Sequence, residues 1–236
     1  MTRLFALCSL LFVMMLAACS GSKSIVGSGV LIDDQRALTT FDQVVVDVPV
    51  NVDIRYGSTQ QVNVYAQGQV LPVLQTNVKG ETLTISMSEK AQMDGATNVK
   101  IMLPALKSVT HNSQGDISIM DFKGDKLALT HSGQGNLTVR DITYEDVKVK
   151  HSGQGDVTLS GTSEDLEVDG DGAGNVNASR LMVKDAKVTN KGAGDISVTV
   201  ENDLKAAIKG AGNINYKGDP KVDLSDDGAG SLQGNN

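Results

Sequence analysis

The residues best suited to chemistry in this chain recur at a fixed interval. Its three histidines, His111, His131 and His151, stand twenty residues apart, and each opens a segment that closes on Asp or Asn. The segments read His111-Asn112-Ser113-Gln114-Gly115-Asp116, His131-Ser132-Gly133-Gln134-Gly135-Asn136 and His151-Ser152-Gly153-Gln154-Gly155-Asp156. A row of imidazoles is the raw material of a metal or pH-sensitive site. A straight row matches tetrahedral zinc poorly, and later copies place Gly170, Asn190, Ile208 and Asp226 where the histidine stood. The expectation is therefore a stacked ladder of neutral side chains, without metal and without cofactor.

Three other chemistries can be weighed along the repeat. Gly-x-Gly-x-Asp is shared with calcium-binding nonapeptide rolls, but those repeat every nine residues with denser Asp. The glycine pairs are no dinucleotide fingerprint, because no helix follows to receive a phosphate. Outward charged rows such as Asp116 with Asp156, or Lys148 with Lys150, do not combine an acid pair with a base at one level. A non-enzymatic protein is expected, with a polysaccharide-acting β-helix enzyme as the alternative.

What must position these residues is a repeat. Later copies exchange Gln for Ala, and the second glycine of each falls at Gly115, Gly135, Gly155, Gly174, Gly194, Gly212 and Gly230. A period near twenty over seven copies is the mark of a solenoid. Within it Leu127, Leu129, His131, Gly133, Gly135, Leu137 and Val139 share one parity and polar residues hold the other. That alternation means strand, with one face in a core. Each period is read as two short strands joined by a Gly-rich corner, with a polar return turn such as Asp121-Phe122-Lys123-Gly124-Asp125. The fold class predicted is all-β: a single-stranded parallel β-helix with about twenty residues per coil at the ~4.8 Å strand spacing. A strand-rich capping region precedes it. The glycines lie on the inward parity, where a Cβ would collide and where a corner is also free to take positive φ. The residues after them, Asp116, Asn136, Asp156, Asn175, Asp195 and Asn213, suit a turn that bonds its own backbone and a side-chain ladder from coil to coil.

The start of the chain has a different logic. Arg3 precedes an apolar run from Leu4 to Leu16, too short to span a bilayer but suited to a secretory signal, and Leu16-Ala17-Ala18-Cys19 closes it. This resembles a bacterial lipobox, in which Cys19 becomes the acylated first residue. Cys8 would leave with the signal, so only Cys19 remains and no intrachain disulfide forms. The segments expected are a signal peptide over 1–18, a lipidated cysteine and Ser/Gly tether over 19–29, a β region over 30–104 and the β-helix over 105–234. Ser20 after the cysteine fits an outer-membrane lipoprotein facing the periplasm or the cell surface. Membrane contact is expected through the lipid anchor.

Composition narrows the partners. The formal net charge is −7, with acids and bases interspersed, so nucleic acid is a poor partner. The chain has no Trp and four Tyr, which leaves little for aromatic stacking on sugars. Within 30–104, Val44 to Ile54 alternate in one run, and Pro49 suggests an edge or bulge there. Turns are marked by Gly57-Ser58-Thr59, Lys79-Gly80-Glu81 and Met93-Asp94-Gly95. At the other end Pro220, Lys221, Asp223, Asp226 and Asp227 place charge on an open edge, the usual guard against end-to-end pairing.

These residues carry a family likeness. Gly27-Ser28-Gly29 and Arg36 stand ahead of Phe41-Asp42-Gln43-Val44-Val45-Val46, and Leu103-Pro104-Ala105-Leu106 enters the first regular coil. Recurrent Gly-x-Gly-[Asp/Asn] corners follow, with Gly210-Ala211-Gly212-Asn213-Ile214-Asn215-Tyr216-Lys217-Gly218-Asp219-Pro220 near the end. As a set, over about 27–234, they resemble the head GIN domain family, labelled auto-transporter adhesins. The family more often has Ser where Gln114, Gln134 and Gln154 stand. The resemblance implies a β-helical, envelope-associated protein with no assigned catalytic residues. The expected function is a binding or adhesion module, with an envelope glycan or a surface protein as partner. The enzyme named above and a purely structural lipoprotein are the alternatives.

Overall fold

The structure is a computed structural model that describes residues 25–92 and 97–234. The signal-like run, Cys19 and the Met93-Asp94-Gly95 turn lie outside the described residues. Among those described there are strands and no helix. The first group is β1 (Ile25–Val26), β2 (Leu31–Gln35), β3 (Gln43–Val46), β4 (Asn51–Tyr56), β5 (Gln61–Gln67), β6 (Leu74–Lys79), β7 (Thr82–Met87), β8 (Ala91–Gln92) and β9 (Asn98–Leu103). The second is β10 (Ser108–His111), β11 (Ile117–Met120), β12 (Lys123–His131), β13 (Leu137–His151), β14 (Val157–Gly170), β15 (Val176–Asn190), β16 (Ile196–Ile208), β17 (Ile214–Lys217), β18 (Lys221–Asp226) and β19 (Leu232–Gly234).

From β10 onward every pairing is parallel and each coil lies on the next. His111 pairs with His131, His131 with His151, His151 with Gly170, Gly170 with Asn190, Asn190 with Ile208 and Ile208 with Asp226. This is the parallel β-solenoid of about twenty residues per turn that the repeat predicts. Alternation does the packing: Leu127, Leu129, Leu137, Val139, Val147 and Val149 are all buried, as are Val157, Leu159, Leu166 and Val168 one coil on. The rod's interior is filled by these side chains.

The return turn differs from the sequence reading. Instead of a polar loop, the chain runs as one long strand through a bulged bend, as in the 15-residue β13, with a register shift between Val139 and Ile142. Asp121 (φ 68°) and Asp141 (φ 55°) sit at this bend. Remaining extended keeps the backbone in the ladder: Thr143 N–H donates to Phe122 O at 3.0 Å. The bulges also absorb the unequal steps of the repeat. Between β15 and β16 the offset of paired residues falls from 20 at Ala178–Val198 to 17 at Met182–Thr199, then returns to 18 at Asp185–Asp203.

Residues 30–104 join the stack, and they do so out of chain order. Strands β3 and β4 form a coil beneath β10 and β11, with Val46 under His111 and Ile54 under Ile119. Strands β7 and β9, later in sequence, lie on the far side of that coil. The outermost coil is then covered by antiparallel strands, β6 on β7, β5 on β9 and β2 on β5. The segment is thus both irregular coil and cap. Pro49 is neither in a strand nor at a bulge. It is exposed at the corner between β3 and β4, which divides the Val44–Ile54 run in two.

Candidate functional site

The inner corner row is built by backbone proximity. A Cβ on Gly135 would fall on the carbonyl oxygen of Gly115, and one on Gly155 on that of Gly135; Gly174, Gly194, Gly212 and Gly230 repeat the relation, and Gly115 meets Val50 O. Positive φ plays no part here. The described glycines with positive φ are Gly29, Gly80, Gly161 and Gly218, none of them in the corner row. Coil stacking at strand spacing, rather than turn conformation, is what excludes a side chain.

Beside the glycines runs an alternating polar ladder. Asp116 Oδ1 accepts from Asn136 N (2.8 Å) and from Asn136 Nδ2 (3.3 Å). Asn136 Oδ1 accepts from Asp156 N (3.1 Å), and Asp156 Oδ1 from Asn175 N (2.8 Å) and Nδ2 (3.2 Å). The pattern continues through Asp195 and Asn213 to Ser231, and begins at Asn51, which accepts from Asp116 N at 3.0 Å. Each Asp receives a side-chain amide from the Asn above it, and no two Asp are adjacent. The row is a structural seam with its charges spaced two coils apart.

The three histidines stack inside the core. Their exposures are 0, 0 and 2%, with ring centroids 4.9 Å apart for His111–His131 and 5.0 Å for His131–His151. His131 Nε2 lies 2.7 Å from Gly135 O, and His151 Nε2 lies 3.0 Å from Gly174 O. Neither ring nitrogen of His111 makes a well-formed hydrogen bond. Burial, reinforced by His131, pushes His111 down to about 4. Burial also lowers His131 and His151. Asn190 takes the same place further along, with Nδ2 on Gly194 O at 2.9 Å. Among the described residues no group of His, Cys, Asp and Glu has the geometry to hold a metal ion.

The most extensive groove described lies elsewhere, on the outside of the rod. A groove of about 850 Å³ runs along one outer wall over Leu127, Val147, Leu166 and Ala186. One side is a register row of Asp146, Asp165, Asp185 and Asp203; the other is Ala128, Lys148, Glu167, Lys187 and Lys205. Lys148 pairs with Glu167 at 2.5 Å, Lys187 with the same Glu167 at 3.3 Å, and Lys126 with Asp146 at 3.2 Å. The hydrogen bond from Lys148, helped by Lys187, holds the Glu167 carboxyl below its usual range. The lining carries Lys107, Lys126, Lys148, Lys187 and Lys205 against Asp146, Asp165, Glu167, Asp185 and Asp203, so the charges balance.

Sequence reasoning did not find this groove. Its Asp row steps by 19, 20 and 18 residues, the same irregular steps as the corner glycines, and that was the available signal. Asp116 and Asp156, read as a possible outward row, lie instead in the seam. Lys148 and Lys150 are two apart on one strand, and Lys148 alone lines the groove.

The architecture has relatives. A family profile described as "Putative auto-transporter adhesin, head GIN domain" matches residues 40–220. The chain belongs to the head GIN domain family. Among solved structures, a "putative adhesin" from Bacteroides fragilis is 26% identical with a TM-score of 0.86, covering 90% of this chain and 100% of that one. A "putative adhesin" from Parabacteroides distasonis is 21% identical with a TM-score of 0.70 over 90% of this chain and 100% of its own. A "Putative lipid binding protein" from the same organism is 19% identical with a TM-score of 0.66, covering 91% and 100%. A search of curated proteins found no match. What this member of the head GIN domain family shares with those structures is its fold.

Proposed function

We propose that the chain is a non-enzymatic envelope protein, anchored to the outer membrane by lipid on Cys19, whose rod presents the wall groove to a partner. The observation that carries the reading is the groove, which spans coils from Lys107 to Lys205 and balances five lysines against five carboxylates. A balanced surface has no net field to attract a polyion, but it offers donors and acceptors in register every ~4.8 Å along its length. That fits an extended, hydroxyl-rich chain such as an envelope glycan better than nucleic acid or an anionic polymer. The adhesin label of the family and of the Bacteroides fragilis relative supports binding rather than turnover.

The groove is poorly suited to glycoside cleavage. A general acid needs a carboxyl raised toward neutrality, and Glu167 is moved the other way by its two lysines. Purified protein lacking the signal, screened against envelope glycans and surface extracts, should retain a ligand without consuming it. Lys148→Glu with Lys187→Glu should weaken retention, each contributing modestly and together more than tenfold. Release of shortened product, abolished by changing one carboxylate, would establish the enzyme reading instead. No retention on any extract would favour a purely structural lipoprotein. Mass analysis of Cys19 in the native protein tests the anchor.

A further inference from the structure

The exposed apolar side chains of the rod are unevenly placed. Val26 (56% exposed), Val30 (85%), Leu31 (47%) and Ile32 (47%) fall within seven residues of one another, just inside the first described residue. Leu31 and Ile32 are neighbours on β2, so they face opposite sides of the strand, and both are half exposed. Among the described residues strand β2 is hydrogen-bonded on one edge only, to β5, with Leu31 on Gln67 and Ile32 on Ala66. It is also the terminal strand of its wall, which runs β2, β5, β9, β4, β11 and on through the coils to β17 and β19. Val30 follows Gly29, which has a φ of +88° and open space where a Cβ would stand. The polar residues that follow are already engaged, Asp33 with Asn63 at 2.9 Å and Asp34 with Arg36 at 2.9 Å.

We propose that Val26, Val30, Leu31 and Ile32 form a membrane-contact patch that inserts into the interface of the bilayer carrying the Cys19 anchor and stands the rod with its capped end down. The inference rests on the lipid-anchor reading above. The chain outside the structure supplies the argument for a lipid surface as occupant. Six residue steps separate Cys19 from Ile25, a reach of at most about 20 Å when fully extended. An anchored Cys19 therefore confines the patch to the neighbourhood of the headgroups. At that effective concentration a weak apolar interaction, too small to bind a free protein, is enough to dock a tethered one. Attraction to anionic lipid is not needed and is not favoured, since the full chain is formally −7. Docking places the open end, at β19, about ten strand spacings or ~48 Å from β2. The groove wall would then rise from the membrane rather than face it.

The chain contains no tryptophan, so one introduced reporter is unambiguous. The chain beginning at Cys19 would be coupled through that thiol to a maleimide phospholipid in phosphatidylcholine vesicles containing brominated lipid. Leu31→Trp should shift its emission to the blue and lose about half of it to the bromines, whereas Met182→Trp, on the coil wall, should lose almost none. Adding Val30→Asp and Ile32→Asp to the Leu31→Trp chain should abolish the quenching, with circular dichroism checking that the exposed substitutions leave the fold intact. Equal quenching at the two reporters, or none at either, overturns the proposal. So does a concentration-dependent blue shift of the Leu31→Trp chain without vesicles, which would assign the patch to a second copy. A blue shift on adding soluble protein extract that displaces the quenching would assign it to a protein partner and also overturn it. Because coupling is chemical, the result reads the patch alone. An unacylated native Cys19 would remove the anchor reading separately.

Discussion

His131 Nδ1 and His151 Nδ1 face each other at 3.0 Å in the core, while the Nε2 atom of each ring faces a carbonyl oxygen. Each Nε2 must carry a hydrogen to bond its carbonyl, and the Nδ1–Nδ1 contact needs one more. Two neutral imidazoles supply only two. The pair is therefore one proton short unless it holds that proton between its rings. Burial is the larger effect on both rings and keeps that proton off at pH 7, against the pull of the hydrogen bonds. Nitrogen-15 NMR at pH 7 should find two neutral rings, each with its hydrogen on Nε2 and a bare Nδ1. A proton shared between the two Nδ1 atoms at pH 7 would refute it.

His111 is shifted further, and its effect on stability has a definite sign. Its pKa in the folded chain is about 4, below the ordinary 6.5, so the unfolded chain binds the proton first. Stability is complete above about pH 6.5 and falls as pH drops toward 4, by on the order of 3 kcal/mol for a shift of this size. The groups around the ring do not reverse this: His131 adds to the effect, and the Gly115 carbonyl and then Asp116 oppose it without cancelling it. Urea denaturation at pH 7 and pH 4.5 measures the loss. His111→Leu should reduce it, since Val46 and Ile208 already fill the same row with apolar side chains. An unchanged pH dependence in that variant would show that the carboxylates alone govern it.

The corner glycines should be far less tolerant than a glycine that is merely strained. Gly155→Ala drives a methyl into the Gly135 carbonyl and should cost about 2–4 kcal/mol by forcing two coils apart. Gly80→Ala, at φ +63° with open space around it, should cost about 1–2 kcal/mol from backbone conformation alone. Thermal unfolding of the two variants side by side gives the order, and equal losses would remove the backbone-contact explanation.

The seam makes an asymmetric prediction. Asp156→Asn keeps the oxygen that accepts from Asn175 N–H and should change stability by less than about 0.5 kcal/mol. Asn136→Asp deletes the amide given to Asp116 and creates three adjacent carboxylates at 116, 136 and 156. It should cost about 1–2 kcal/mol, partly recovered in high salt. Denaturation at two ionic strengths checks both the order and the screening.

Much of this molecule was legible in its residues. The Gly-x-Gly spacing and the two-residue alternation determined a parallel β-solenoid, because both report local constraints repeated at one interval. The likeness over 27–234 determined the family. Hidden from the sequence was the order in which coils stack at the start: β7 and β9 lie outside β3 and β4 although they come later, since sheet edges pair by register and not by chain order. Hidden too was the groove, whose Asp and Lys rows align only once bulges have absorbed steps of 19, 20 and 18 residues. The histidine spacing was plain, yet the Nδ1–Nδ1 contact depends on ring tilt and on which carbonyl each Nε2 reaches. Periodicity is a property of the chain, whereas register between non-neighbouring coils exists only after the backbone ladders have closed.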